Sequence, residues 1–183
     1  MKREQLEHLL RASANVLRDK GGADSGAELV VIGSQSILGQ FPDAPAELIR
    51  SMEADLYPLH NPEMADEIDG AIGEGSPFHD HYGFYAQGVG PETAVLPAGW
   101  QRRLIEVKSP ATSPGVGLCL EVHDLAISKY IAGRSKDLEF TQELARHGMT
   151  NKDVLLERLA ATEVDESRRA LAHQRISLQH RRR

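Results

Sequence analysis

The chain has one cysteine, Cys119, among its 183 residues. An intramolecular disulfide is therefore excluded, and no cysteine pair is available for a structural zinc site. Cys119 lies in the apolar run Val116–Leu120, where it reads as a small buried hydrophobe rather than a nucleophile. No apolar run reaches the length of about eighteen residues that a membrane helix needs. The N-terminus, MKREQLEHLL, is charged rather than signal-like. These absences point to a cytoplasmic protein with no membrane partner. An excess of positive charge is also missing: the net charge is −6, which argues against non-specific coating of nucleic acid. The charge is uneven, however. From Asp165 onward six arginines face two acids, about +4, which leaves about −10 for the rest. A basic tail on an acidic body suggests either an anionic-partner contact or a frayed, solvated terminal helix.

The length suits one domain, or one with a small helical appendage, and the 40% apolar content is ordinary for a globular protein. The most informative stretch is VVIGSQSILGQFPDAPAELIRSMEADLYP, residues 30–58. Leu29–Ile32 is an apolar run that breaks at Gly33-Ser34, which reads as a buried strand meeting a tight turn. A short helix over Gln35–Gln40 follows, with Ile37 and Leu38 inward. A strand feeding a helix through Gly-Ser leaves backbone N–H groups that favour phosphate. The next strand, Met52–Tyr57, carries Glu53 and Asp55 two residues apart, hence on one face, with Met52, Ala54 and Leu56 on the other. Two neighbouring carboxylates repel unless a cation lies between them. Oxygen-only ligation by one or two acids, completed by water and phosphate, is the usual way to hold Mg²⁺. The alternative is an edge strand with a solvated acidic face.

A second cluster lies in HDLAISKYIAGRSKDLEF, residues 123–140. A helix over Leu125–Ala132, capped by His123 or Asp124 and ended by Gly133, brings Lys129 close to an apolar stripe. A second helix, with Ser135 as its cap, runs to Arg146, with Gly148 beyond its end; Asp137 in its first turn suits the helix dipole.

Together these residues resemble the nucleotidyltransferase superfamily that contains DNA polymerase β, and more narrowly the AbiEii-type toxins of bacterial toxin–antitoxin systems. The matching residues are Gly33, Ser34, Ser51, Glu53 and Asp55, then Lys129, Arg134, Lys136 and Asp137, in order over most of Leu29–Leu159. In two places the chain departs from the pattern: Glu53 stands where many relatives have Asp, and Phe140 where relatives often carry a second Asp. The resemblance implies transfer of a nucleoside monophosphate from an NTP to an acceptor, with tRNA 3′ ends a leading candidate, and restraint by a cognate antitoxin. It implies Glu53 and Asp55 as ligands of Mg²⁺ or Mn²⁺, and Gly33, Ser34 and Ser51 as nucleotide contacts. Lys129 would bind phosphate with Arg134 and Lys136 in support, and Asp137 would be needed for activity. Glu106, on a strand expected over Arg103–Lys108, is the candidate third acid.

The fold expected is α/β (α+β): a nucleotidyltransferase-like mixed sheet flanked by helices over residues 1–120, then a helical segment over 121–183 with its basic tail from about 165. An amphipathic helix over Lys2–Leu17 opens the chain, a loop covers Gly21–Gly26, and a helix starting at Asn61-Pro62 runs to Ile72. Gly73–Gly90 reads as a glycine-rich hairpin or meander packed by Tyr82, Phe84 and Tyr85. On one strand face His79 and His81 would make a metal pair, and a His-metal hydrolase is the rival reading. A non-catalytic nucleotide-binding module is another. Glu92–Leu96 reads as a short strand, Leu118–Leu120 as the entry to the helical part, and the last helix as frayed beyond Gln174.

Overall fold

The structure, a computed structural model, describes residues 1–21 and 27–181. Most of the loop expected at Gly21–Gly26, and the last two arginines of the tail, lie outside those residues. The chain forms two compact units, Met1–Thr93 with Leu104–Leu120, and Ala94–Arg103 with Glu121–Arg183.

The first unit is a five-stranded mixed sheet with helices on it. Its strands are β1 (Glu28–Val31), β2 (Glu53–Pro58), β3 (Tyr85–Gly88), β4 (Ile105–Val107) and β5 (Val116–Cys119), in the order β3-β2-β1-β5-β4. β1 runs parallel to β5 and antiparallel to β2, β2 is parallel to β3, and β4 is antiparallel to β5. Helices α1 (Arg3–Asp19), α2 (Ile37–Gln40), α3 (Ala65–Ile72) and α4 (Pro77–Tyr82) complete the unit. Paired residues in register share a face. One face therefore carries Ala54, Leu56, Val31, Leu29, Cys119 and Gly117, and the other carries Glu53, Asp55, Tyr57, Val30 and Leu118.

The first of these faces is covered by helices, and glycines set the approach. α1 buries Leu6, Leu9, Leu10, Ala14 and Leu17 at helical spacing. A Cβ on Gly117 would come within 2.6 Å of Leu10, a Cβ on Gly39 within 2.5 Å of Cys119, and a Cβ on Gly88 within 1.9 Å of the Ala65 carbonyl oxygen. So α1 lies on β5, α2 crosses at Cys119 and α3 lies on β3. Cys119 is fully buried, and burial pushes its thiol up to about 12.

Two expectations about this unit fail. Residues 77–82 are helical rather than part of a hairpin, because Ser76 caps the turn by accepting from the His79 N–H and Pro77 sits at the first helical position. Residues 91–93 form a 3₁₀ turn instead of a strand. Leu118-Cys119 belongs to β5, next to the central strand, and leads as expected into the helical part, whose first helix starts after two intervening residues at Val122.

The second unit consists of α5 (Val122–Ala132), α6 (Ser135–Arg146), α7 (Lys152–Ala160) and α8 (Glu166–Gln179), joined by the segment Ala94–Arg103. α5 is buried on most of its surface, as a central helix should be. Its cap is Glu121, whose carboxylate accepts from the His123 N–H, rather than His123 or Asp124. Asp124 is instead fully buried. The Arg103 guanidinium grips it with two bonds of 2.8 and 3.0 Å, and Arg158 lies 3.5 Å away. That fork ties Ala94–Arg103 to the helices.

α8 is ordered to Gln179. Ile176 is fully buried, and the Gln179 amide accepts from the Tyr130 hydroxyl at 2.8 Å and donates to the Leu138 carbonyl at 3.0 Å. Two of the tail arginines close other helices. Arg169 donates to the carbonyls of Leu159, Thr162 and Val164 at the end of α7, and Arg175 donates to the Tyr130 carbonyl at 2.7 Å near the end of α5. Cations are favoured there by the unpaired carbonyls and the dipole. Among the described residues no helix is long and apolar enough to cross a membrane.

Arg169→Ala is expected to lower unfolding free energy by about 2 kcal/mol in urea denaturation, since it removes several charge-assisted bonds to carbonyls. Arg168→Ala, whose partner Asp165 is as exposed as itself, should change it by less than about 0.5 kcal/mol. Equal effects would mean that Arg169 does not cap α7.

Candidate active site

β2 alternates as a half-buried strand should. Ala54 and Leu56 are fully buried under the helices, while Glu53 and Asp55 stand half-buried on the opposite face. The end of β1 meets this pair directly, because the Ile32 N–H donates to the Asp55 carbonyl at 3.0 Å. The next residue, Gly33, has an ordinary extended backbone, with φ −81° and ψ −172°. Its lack of a side chain matters for space, not conformation. A Cβ there would stand 2.0 Å from Asp55 Oδ2 and 2.7 Å from its carboxyl carbon. The Asp55 carboxylate thus lies against the backbone of the Gly33-Ser34 turn.

Ser34 opens a 3₁₀ turn, Ser34–Ser36, ahead of the single turn of α2. Gln35 is fully buried and donates its amide to the Ser51 carbonyl at 3.2 Å. Ser51 precedes β2 rather than lying in it. Its hydroxyl accepts from the Glu53 N–H at 3.1 Å, so it starts the strand, a local bond that serine makes readily.

β3 brings two further side chains to the acid face. Tyr85 is in register with Glu53, and Gln87 with Asp55. The Tyr85 hydroxyl donates to Glu53 Oε2 at 3.0 Å. Burial first, then the bond and charge of Glu53, then Glu74 and Asp55, push this phenol up to about 12. The sequence pointed to Tyr85 only as packing. The usable signal was the alternation Tyr85-Ala86-Gln87-Gly88, whose small residues must face a helix.

Glu106 lies on the same face but cannot join the pair. It sits on edge strand β4 opposite Leu118, with β5 and β1 between it and β2. Three strand spacings are about 14 Å, beyond the span of two ligands of one ion. His79 and His81 do not share a face either. On a helix, positions i and i+2 diverge by about 200°. The His79 ring lies 4.6 Å from that of Tyr85, and the His81 ring 4.5 Å from that of Tyr82. Among the described residues neither histidine belongs to a group of three side chains able to hold a metal ion.

In the helical unit the second cluster is built on Asp137, which is 1% exposed. Its carboxylate accepts from the Arg134 backbone N–H at 3.3 Å, closing the first turn of α6, and from Arg134 Nε at 2.6 Å and Nη2 at 3.2 Å. Lys129 Nζ, on α5, stands 3.4 Å from Oδ1, the oxygen that also accepts from Arg134 Nη2, and 6.0 Å from the centre of the Phe140 ring. Burial raises the Asp137 pKa, but the Arg134 bond and the charges of Lys129 and Arg134 outweigh it and hold the carboxyl below its usual value. Lys136 is exposed.

The sequence profile of a family described as "Nucleotidyltransferase of unknown function (DUF6036)" matches residues 7–181, nearly the whole chain. The chain belongs to that family. No curated protein and no solved structure matches it. The profile covers both clusters of this DUF6036 protein. Nucleotidyltransferases use a divalent metal, and the donor set fits one. Two carboxylates on one face, one of them in the space a Cβ at Gly33 would fill, offer oxygen ligands of the type Mg²⁺ and Mn²⁺ prefer.

Gly33→Ala should turn the Asp55 carboxylate out of place. Overpacking of this kind costs about 1–3 kcal/mol, so the variant should still fold while Mn²⁺ binding, followed by calorimetry, weakens at least about tenfold. Unchanged binding would show that Asp55 does not need this position. Asp137→Ala should cost about 3 kcal/mol, because it strands Lys129 without its carboxylate. A depressed pKa adds stability above the unfolded value of about 4, and that stability is lost as pH falls toward the folded value. Asp137→Asn should therefore flatten the fall in stability between about pH 5 and pH 2; an unaltered profile would contradict this.

Proposed function

We propose that this DUF6036 protein transfers a nucleoside monophosphate from an NTP to a hydroxyl of RNA, with tRNA 3′ ends as the leading acceptor, and that it acts as a toxin held in check by an antitoxin protein. The observation that carries the transferase reading is the packing of Asp55 against Gly33, on the face it shares with Glu53, within a chain of a nucleotidyltransferase family. The RNA acceptor and antitoxin rest on the resemblance of Lys129…Arg134-x-Lys136-Asp137 and Gly33-Ser34…Ser51-x-Glu53-x-Asp55 to AbiEii-type toxins.

In the step, an acceptor oxygen forms a bond to the α-phosphorus, the bond from that phosphorus to the bridging oxygen breaks, pyrophosphate leaves, and the hydroxyl proton passes to solvent. Such transfers depend on positioning and charge stabilisation more than on covalent catalysis. Glu53 and Asp55 would hold Mg²⁺ or Mn²⁺, which supplies charge neutralisation on the transferring phosphate. Backbone N–H groups of the Gly33-Ser34 turn would meet the phosphates, and the Ser34 hydroxyl would add a donor. By the resemblance, Lys129, which pairs with Asp137, would bind phosphate, with Arg134 and Lys136 in support. Ser51 fixes the start of the acid-bearing strand through its bond to the Glu53 amide.

Incubation with each labelled NTP, total cellular RNA and Mg²⁺ tests the reading. Label entering RNA with the native chain, and not with Asp55→Ala, is the expected result. Label on protein would redirect the acceptor from RNA to a polypeptide. Metal-dependent NTP binding with no transfer at all would overturn the enzyme in favour of a nucleotide-binding module.

A further inference from the structure

Glu53 departs from the resemblance: an aspartate is usual where this longer acid stands. The structure gives the extra methylene a use. Glu53 and Tyr85 are directly opposed on parallel strands β2 and β3, and the Tyr85 hydroxyl donates to one carboxylate oxygen only, Oε2, at 3.0 Å. Tyr85 is itself held from behind. The His79 ring packs on its ring at 4.6 Å and 52°, and His79 is fixed in turn because its Nδ1 accepts from the Gly75 N–H at 3.0 Å. On the other side of β3, Ala86 is fully buried and Gly88 lets α3 approach, so the strand has little freedom to shift.

We propose that Tyr85 is a positioning residue that holds Glu53 Oε2 and so presents Oε1 to the divalent cation, and that glutamate stands at 53 because an aspartate would not reach Tyr85 from β2. The inference rests on the metal-binding reading of Glu53 and Asp55 and deepens it. A carboxylate offers about four acceptor positions on two oxygens. A hydroxyl bonded to one oxygen fixes the side-chain rotamer and leaves the other free to ligate. A neutral donor does this without adding a third negative charge beside two acids that already repel. Groups that hydrogen-bond a metal ligand commonly change metal affinity 10–100-fold when they are removed.

The test is Mn²⁺ binding to the purified full chain, read from the electron paramagnetic resonance signal of free Mn²⁺, together with the unfolding midpoint. Tyr85→Phe keeps the ring that packs on His79 and removes only the hydroxyl. It should weaken Mn²⁺ binding about tenfold with little change in the midpoint. Glu53→Asp should weaken binding too, and adding Tyr85→Phe to it should have no further effect, because the link is already broken. Native affinity in Tyr85→Phe, or an equal loss in both backgrounds, would overturn the proposal. Tighter binding in Tyr85→Phe would also overturn it, by showing that Tyr85 competes with the cation for Glu53. Asp55→Ala separates this failure from that of the underlying reading. Native binding abolished by Asp55→Ala leaves the metal site standing even if Tyr85 is irrelevant. No Mn²⁺ binding by the native chain would remove both.

Discussion

The first unit depends on one close approach, that of the Asp55 carboxylate to the backbone at Gly33. A strand end and the strand beside it meet wherever a sheet ends. An acid can be held against the turn only if the turn residue has no side chain, and Gly33 is that residue. The rest of the unit keeps this contact in place. β1 is central, with Leu29, Val30 and Val31 fully buried, so the turn at its end cannot drift. Gln35 ties the turn to the Ser51 carbonyl, and Ser51 ties itself to the Glu53 amide, so both ends of the segment between the strands are fixed close to the acids.

What the sequence revealed, and what it hid, follows from how local each signal is. The period-2 pattern of Glu53, Ala54, Asp55 and Leu56 is complete within four residues, and so is the break of an apolar run at Gly33. Both could be read directly. The spacing of Leu6, Leu9, Leu10 and Leu17 likewise announced α1. Leu118-Cys119 could not be read in this way. A short apolar run after a Pro/Gly loop suits either a strand or a helix start, and β5 is decided by distant partners, β1 on one side and the α1 leucines above Gly117. The region 73–90 misled for the opposite reason. Its many glycines and aromatics suggest a hairpin, whereas Ser76-Pro77 is a helix start, and this local signal was outweighed by composition. The arginine-rich tail looked like a solvated helix because nothing local shows that Arg169 and Arg175 have carbonyls waiting on other helices.

The histidine pair illustrates the same point within the site. Two histidines flanking an aspartate suggest a metal, and on a strand they would share a face. On α4 they part, and His79 becomes the support for the Tyr85 ring. A residue type associated with ligation here serves two contacts away from the acids. Tyr85 and Gln87, which lie opposite the acids in register, carry no such signal because neither is charged.

The second unit poses a different electrostatic question, what a mostly buried lysine faces. Lys129 faces one carboxylate, Asp137, which it shares with Arg134. Two cations against one acid leave a net positive charge. A second aspartate at position 140 would cancel it. The Phe140 ring instead presents its electron-rich face at 6.0 Å, an attraction that steadies an ammonium without a counter-charge. The departure at 140 is thus compatible with a phosphate-binding cluster, and it makes that cluster more strongly positive than the pattern with two acids would. Asp137 is in turn committed to the first turn of α6, where the helix dipole favours an acid.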